Sequence, residues 1–159
     1  MIYLPCHRSH IDYCALTYLL YENGLMVPQV AAGNNLNLPF LGSILRGAGA
    51  VFMRRSFMSN PLYSIVFFEH IMSLMIRGSS IEFFPEGGRS RTGLSLKPKP
   101  GLLSMTLRGF ASSKIQRVKV VPVYIGYEKI IEGSSYLSEL MGGRKRRENF
   151  LDITKVLKD

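Results

Sequence analysis

Short apolar runs alternate with segments of helical periodicity, and this alternation constrains the fold of the chain more than any other feature. The strand-like runs are "IYLP", "VPQVAAG", "AVFMRR", "SIEFFPEG" and "VKVVPVYIGY". Helical spacing of apolar residues occupies segments 10–23, 38–47, 61–77 and 101–112. We therefore predict an α/β fold: a mixed, mostly parallel sheet flanked by helices on both faces, with ligands at the ends of the strands.

Two of these segments carry residues that fix their position. The third helical segment begins with Asn60, which can cap free amides, and Pro61, which suits the first helical position; Gly78 marks its end. In the last strand-like run, Pro122 has no backbone N–H. We expect that mostly buried strand to lie at a sheet edge or to contain a bulge.

Composition limits the class of protein. With 159 residues, 47% of them hydrophobic, the chain is long enough for one domain with a core, and its net charge of +9 indicates an anionic partner. Two cysteines are too few for a disulfide framework and no signal-peptide pattern opens the chain, so we expect a cytoplasmic location. Glu69 and His70 interrupt the longest apolar stretch, which leaves peripheral membrane contact open.

The segment "LPCHRSHIDY" places titratable residues where a strand passes into a helix. Ser9 and Asp12 have the spacing of a capping box, with Ser9 as the N-cap and Asp12 reaching back. In a second interpretation, His7 precedes the helix and folds back, so that Asp12 fixes one imidazole nitrogen and leaves the other as a general base. A zinc site is disfavoured because the spacing matches no familiar site. Its ligands would be Cys6, His7, His10 and Cys14.

Two later segments carry groups suited to an anion. Arg54 and Arg55 end a strand, and an arginine fork can donate two hydrogen bonds to one phosphate. The loop "FFPEGGRSRTG" combines glycines, which let backbone amides approach an anion, with arginine and serine donors. It lacks the Gly-Lys-Ser/Thr ending of a nucleotide-binding loop. Solvated surface residues remain the alternative for both segments.

Taken together, the segments "PCHRSHIDY", "GAVFMRRSF", "FFPEGGRSRTG" and "VVPVYIGYEKI" resemble the blocks that define the glycerolipid acyltransferases. The first block of that superfamily is His-x-x-x-x-Asp, matched by His7 and Asp12. Within the superfamily, the chain is most similar to the glycerol-3-phosphate and dihydroxyacetone-phosphate acyltransferases, and among these to the bacterial membrane-bound glycerol-3-phosphate enzymes. The resemblance covers essentially the whole chain.

The resemblance also implies roles for individual residues. His7 becomes the catalytic base and Asp12 its partner, while Pro122 matches a block associated with catalysis and the acyl side. The second and third blocks bind the phosphate of the acceptor. Their matching residues are Arg54, Arg55, Glu86, Gly87, Arg89 and Ser90. No metal and no cofactor are implied, because acyl-CoA or acyl carrier protein enters as a co-substrate.

The implied reaction is transfer of a fatty acyl group to the sn-1 hydroxyl of glycerol 3-phosphate. It gives lysophosphatidate, the first step of phospholipid biosynthesis. Dihydroxyacetone phosphate as the acceptor is one alternative. A non-enzymatic module that binds anions or phospholipids is another, although it would leave His7 and Asp12 without a use. We expect no nucleic-acid partner, because the chain has no zinc-finger, helix-turn-helix or aromatic-basic pattern.

The basic run "GGRKRRE", which includes Arg144–Arg147, favours an anionic membrane surface as a further partner. We accordingly expect a peripheral protein on the cytoplasmic face of the membrane, with a solvated basic turn as the alternative for this run. Members of the branch are several times longer. We therefore expect residues 1–159 to be a single acyltransferase catalytic domain, truncated at its C-terminal end and without its flanking domains.

Overall fold

A computed structural model of the protein describes residues 1–54 and 60–143, in which strands and helices alternate. The strands are β1 Ile2–Pro5, β2 Gln29–Gly33, β3 Ala50–Met53, β4 Ile81–Glu82 and β5 Val120–Val123. The α-helices are α1 Asp12–Glu22, α2 Leu41–Gly47, α3 Pro61–Ile76, α4 Gly101–Ser112 and α5 Gly133–Leu140, and a 3-10 turn covers Asn34–Leu36. The predicted α/β fold is confirmed.

The five strands form one sheet in the order β3-β2-β4-β1-β5. Each strand pairing in the described ranges is parallel, whereas the sequence predicted a mixed sheet. In register, Ile2 of β1 lies opposite Ile81 of β4 and Val120 of β5. Because parallel strands end at the same edge, the loops that follow β4, β1 and β5 are neighbours there.

Helices cover both faces of the sheet, as the alternation predicted. On one face, α3 and α4 contribute the larger core cluster, in which Ile71 and Met105 meet Ile2 and Ile81 of the sheet. On the opposite face, Leu16 and Leu20 of α1 pack against Tyr3. Ile2 and Tyr3 serve different clusters because successive side chains of a strand point to opposite faces.

The predicted boundaries of α3 are confirmed. Asn60 is the N-cap and its side-chain oxygen accepts a hydrogen bond from the Tyr63 amide at 2.9 Å, with Pro61 in the first turn. After the helix, Gly78 has a φ of +76°, a conformation that glycine adopts at little cost.

Three details differ from the sequence prediction. Strand β5 lies at the sheet edge, as Pro122 indicated. It is half exposed, whereas the sequence predicted a mostly buried strand. Helix α1 covers the side of β5 that carries Val121 and Val123 and leaves Val120 44% exposed. Strand β4 is only two residues long. Helix α5 was not predicted, and it proves important for the site.

In the described ranges, no helix combines the length and the hydropathy that a bilayer span requires.

Candidate active site

Two loops meet at the carboxyl edge of the sheet. The His7 loop, residues 6–11, connects β1 to α1, and the glycine loop, residues 84–91, follows the neighbouring strand β4. Two backbone hydrogen bonds of His7 join them: its amide donates to Glu86 Oε1 at 3.1 Å, and its carbonyl accepts from the Ser90 amide at 2.8 Å. The sheet order thus places residues about 80 positions apart in contact.

Asp12, the first residue of α1, holds the His7 loop together. One of its carboxylate oxygens, Oδ2, accepts hydrogen bonds from His7 Nδ1 at 2.8 Å and from the amides of Arg8 and Ser9 at 2.7 and 2.9 Å. The side chain of Asp12 is completely buried, and that of His7 is 15% exposed. The contact between His7 and Asp12 that the sequence predicted is therefore present.

The capping-box prediction is only half correct. Asp12 does reach back to the Ser9 amide, but Ser9 is not the N-cap, since α1 begins at Asp12 with Ile11 as its cap residue. The Ser9 hydroxyl instead donates to Glu132 Oε2 at 2.8 Å and accepts from the Ile11 amide. Ser9 therefore bonds to Glu132, far along the chain, instead of capping α1.

Hydrogen bonding determines the charge of Asp12. Burial by itself raises the pKa of this carboxyl, but the donors His7, Tyr127, Ser9 and Arg8 outweigh burial and lower the pKa below its usual value. The carboxylate is therefore ionised at neutral pH. An anion opposite Nδ1 keeps the proton on that nitrogen.

The second nitrogen of His7 is thereby left as an acceptor. Its Nε2 has no hydrogen-bond partner among residues 1–54 and 60–143. The imidazole ring stacks on Phe84, with 4.0 Å between ring centroids, which fixes its plane. In its neutral form, an oriented and partly exposed imidazole of this kind can accept a proton from a hydroxyl group.

Within the glycine loop, the predicted polar residues have partners inside the protein. Glu86 is 6% exposed, and its second oxygen accepts from the Leu96 amide at 2.7 Å, so both carboxylate oxygens hold backbone N–H groups. The Ser90 hydroxyl donates to the Leu94 carbonyl. Gly87 has a φ of +61°, and Lys99 lies so close that an added Cβ would be 2.8 Å from its Cδ. These contacts give the loop its shape.

The arginines of the glycine loop face acidic residues of α5 and its cap. Arg89 Nη1 donates to Glu132 Oε1 at 3.2 Å and to the Tyr136 hydroxyl at 2.9 Å, and Arg91 forms an ion pair with Glu139. Glu132 Oε1 also accepts from the His10 amide at 2.9 Å. This helix and its N-cap therefore tie the glycine loop to the His7 loop.

Arg54 lies away from this cluster. It follows β3, which is the edge strand farthest from β5. Strand β3 lies three strand spacings, or roughly 14 Å, from β1. Its guanidinium lies 4.9 Å from the centre of the Tyr63 ring, and its amide donates to the Tyr63 hydroxyl. Arg55 is outside the described residues.

Several residues of the cluster were missed by the sequence analysis: Tyr127, Glu132, Tyr136 and Lys99. Tyr127 falls within the fourth block, so its position was marked, but no local pattern connects it with Asp12. Glu132 and Tyr136 lie in a polar segment without strong periodicity. Their partners are more than 40 residues away, which no local reading of the sequence can find.

The zinc site considered for the segment "LPCHRSHIDY" has no matching ligand geometry in the described ranges. Within residues 1–54 and 60–143, no three His, Cys, Asp or Glu side chains converge as metal ligands. His10 is neutral at pH 7, because burial, followed by the charge of Arg89, lowers its pKa to about 4. Cys6 is engaged by the segment after β5, since the Ile125 amide donates to its Sγ at 3.2 Å.

Comparison with known proteins agrees with this architecture. The family model described as Acyltransferase matches residues 1–126, a span that includes the His7 loop and the glycine loop. Three similar curated proteins carry the name glycerol-3-phosphate acyltransferase. They are those of Pseudomonas fluorescens strain Pf0-1, 55% identical over 99% of this chain, Pseudomonas putida strain GB-1, 56% over 98%, and Pseudomonas syringae pv. syringae strain B728a, 54% over 99%.

The aligned region is a small part of each of these relatives, because the chain spans 19% of their length. The family model, by contrast, matches most of the chain and includes the hydrogen-bonded His7 and Asp12. The chain therefore belongs to the Acyltransferase family.

Proposed function

We propose that the protein transfers a fatty acyl group from a thioester to the sn-1 hydroxyl of glycerol 3-phosphate and so forms lysophosphatidate. The observation that carries the proposal is the oriented imidazole of His7, bonded through Nδ1 to the buried, ionised Asp12. The names of the curated relatives support the acceptor. A thioester supplies the acyl group directly, so the proposal needs no cofactor.

In the proposed reaction, His7 acts as the general base. Its Nε2 removes the proton from the acceptor hydroxyl as the hydroxyl oxygen attacks the thioester carbonyl carbon. The resulting tetrahedral intermediate expels the thiolate, which takes up the proton to leave as a thiol. Asp12 holds the imidazole and stabilises its charged form. General-base assistance of this kind contributes about 10²- to 10⁴-fold in rate.

The phosphate of the acceptor is proposed to bind the cationic groups at the carboxyl edge of the sheet. The shared bonds of Arg89 and of the His10 amide to Glu132 support the inclusion of Arg89 in this set. Arg54 and Arg55 follow β3 and complete the set. Gly87, Glu86 and Ser90 shape the loop that carries Arg89. Holding both reactants in this way supplies rate as well as affinity.

Replacement of His7 by alanine in the full-length natural protein tests the proposal. We expect thiol release from acyl-CoA and from acyl carrier protein to fall at least about 10²-fold while glycerol 3-phosphate still binds, because only the base is lost. His70→Ala is the matched control, since His70 is exposed on α3. Normal turnover in His7→Ala would disprove the assignment.

The same assay distinguishes the alternative substrates. Running it with glycerol 3-phosphate and with dihydroxyacetone phosphate identifies the acceptor, and the two thioesters identify the donor. A protein that binds both phosphates but transfers nothing would be the non-enzymatic anion-binding module.

We further propose that the protein acts at the cytoplasmic face of a membrane as a peripheral protein. The basic run Arg144–Arg147 supports this location through its charge, and it lies outside the described residues. Reversal of these four charges should weaken sedimentation with vesicles that contain anionic phospholipid, while vesicles of neutral phospholipid serve as the control. Unchanged sedimentation would remove the run from the proposal.

A further inference from the structure

Asp12 has one partner that lies outside the His7 loop. The hydroxyl of Tyr127 donates to Asp12 Oδ1 at 2.5 Å, whereas the three donors of the His7 loop all bond to Oδ2. Among residues 1–54 and 60–143, Tyr127 is the only donor to Oδ1. Since Asp12 is completely buried, water does not replace a missing donor without rearrangement.

The fold brings Tyr127 to this position through the edge strand. Strand β5 runs beside β1, and the Cys6 amide donates to the Val123 carbonyl at 3.0 Å, just past the end of β1. The Ile125 amide then donates to Cys6 Sγ, which keeps the following residues beside the His7 loop. The family match ends at residue 126, one position before Tyr127.

Tyr127 is suited to act as a permanent donor. Burial, followed by the hydrogen bond to Asp12 and the charge of that carboxylate, raises the pKa of Tyr127 well above its usual value. Its hydroxyl consequently keeps its proton at every pH at which a neutral imidazole can act as a base.

We infer that Tyr127 is a positioning residue of the proposed acyl transfer: by holding Asp12 Oδ1, it fixes the plane of the carboxylate so that Oδ2 faces His7 Nδ1. Without this donor, Asp12 satisfies its second oxygen only by rotating, and rotation weakens the contact with the imidazole. The inference rests on the proposed function, because it assigns Tyr127 to the same general base. It extends the site to a residue that no local sequence pattern links to His7.

Tyr127→Phe tests the inference, since it keeps the ring and removes only the hydroxyl. In the full-length natural protein we expect kcat to fall about 10- to 100-fold, as for the loss of a hydrogen bond to a charged group, while KM for glycerol 3-phosphate changes little. Tyr21→Phe is the control, since Tyr21 is 69% exposed near the end of α1.

A readout besides activity separates this inference from the proposed function. The ¹⁵N chemical shifts of the His7 ring report which nitrogen carries the proton, and we expect Tyr127→Phe to change them while Tyr21→Phe does not. A Tyr127→Phe protein with unchanged kcat and unchanged ring shifts would overturn the inference. If wild type transfers no acyl group, the proposed function fails, and the ring shifts alone decide whether Tyr127 positions His7. If Tyr127→Phe does not fold, Tyr127→Gln, whose amide can donate, is judged by the same readouts.

Discussion

Glu82 gives a quantitative prediction because it is a carboxyl group buried without a partner. It lies in β4, the central strand, is completely buried, and neither of its side-chain oxygens has a hydrogen-bond partner in the described part of the chain. Burial, and secondarily the charge of Asp12, raises the pKa of Glu82 from 4.5 to about 8. The folded protein therefore keeps this proton at neutral pH, whereas the unfolded chain releases it.

The sign of the pH dependence follows from this difference. A carboxyl group whose pKa is raised on folding contributes stability below pH 4.5, and that contribution is lost as the pH rises to about 8. Glu82→Gln has nearly the same size and does not titrate. Since each pH unit between the two pKa values is worth about 1.4 kcal/mol, the free energy of unfolding of wild type should fall by about 2 to 3 kcal/mol relative to Glu82→Gln between pH 5 and pH 7.

Urea unfolding of both proteins at pH 5, 6 and 7, followed by circular dichroism, measures this difference. The lowered pKa of His10 acts in the opposite direction, since it makes stability rise with pH between about 4 and 6.5, but it is common to both proteins and cancels. A constant offset from the buried amide leaves the slope unchanged. Parallel pH dependences, within about 0.5 kcal/mol, would refute the reasoning and show that Glu82 is ionised in the folded protein.

Two further predictions concern packing and the α5 contact. In Gly109→Ala, the new Cβ would lie 2.2 Å from Sδ of the buried Met72. Overpacking costs about 1 to 3 kcal/mol and the better helix propensity of alanine returns about 1 kcal/mol, so the free energy of unfolding should fall by up to about 2 kcal/mol in urea titrations. Gly101→Ala on the same helix meets no atom within 4 Å and should be neutral or stabilising. Glu132→Gln removes the charge that accepts hydrogen bonds from both the His7 loop and the glycine loop. It should lower the free energy of unfolding by about 1 to 3 kcal/mol, measured in the same way. Equal stabilities for Glu132→Gln and for the exposed control Glu128→Gln would contradict the linking role of Glu132.

The parts of the fold that could be predicted from the sequence have local causes. The alternation of apolar runs gave the strands and their order along the chain, and Asn60 with Pro61 gave the start of α3. The contact of His7 with Asp12 was also predictable, because the two residues are only 5 positions apart at the junction of β1 and α1. In each case, neighbours in sequence determine the structure.

The parts that were missed have causes far away in the chain. Ser9 looked like a helix cap, yet its hydroxyl bonds to Glu132, which is 123 residues further on. Helix α5 is only eight residues long and begins with a glycine, so its helix propensity is weak. The role of its cap residue Glu132 and of Glu139 is visible only from their contacts with Arg89 and Arg91. Long-range pairing of this kind overrides local preference.

The bond between Ser9 and Glu132 has a consequence for synthesis of the protein in the cell. A ribosome makes residue 9 early and residue 132 more than a hundred peptide bonds later, so the His7 loop stays without this support until α5 has left the exit tunnel. Nascent chains arrested before that point should have a His7 loop that proteases cleave readily, whereas this loop should be protected in arrested chains that are slightly longer.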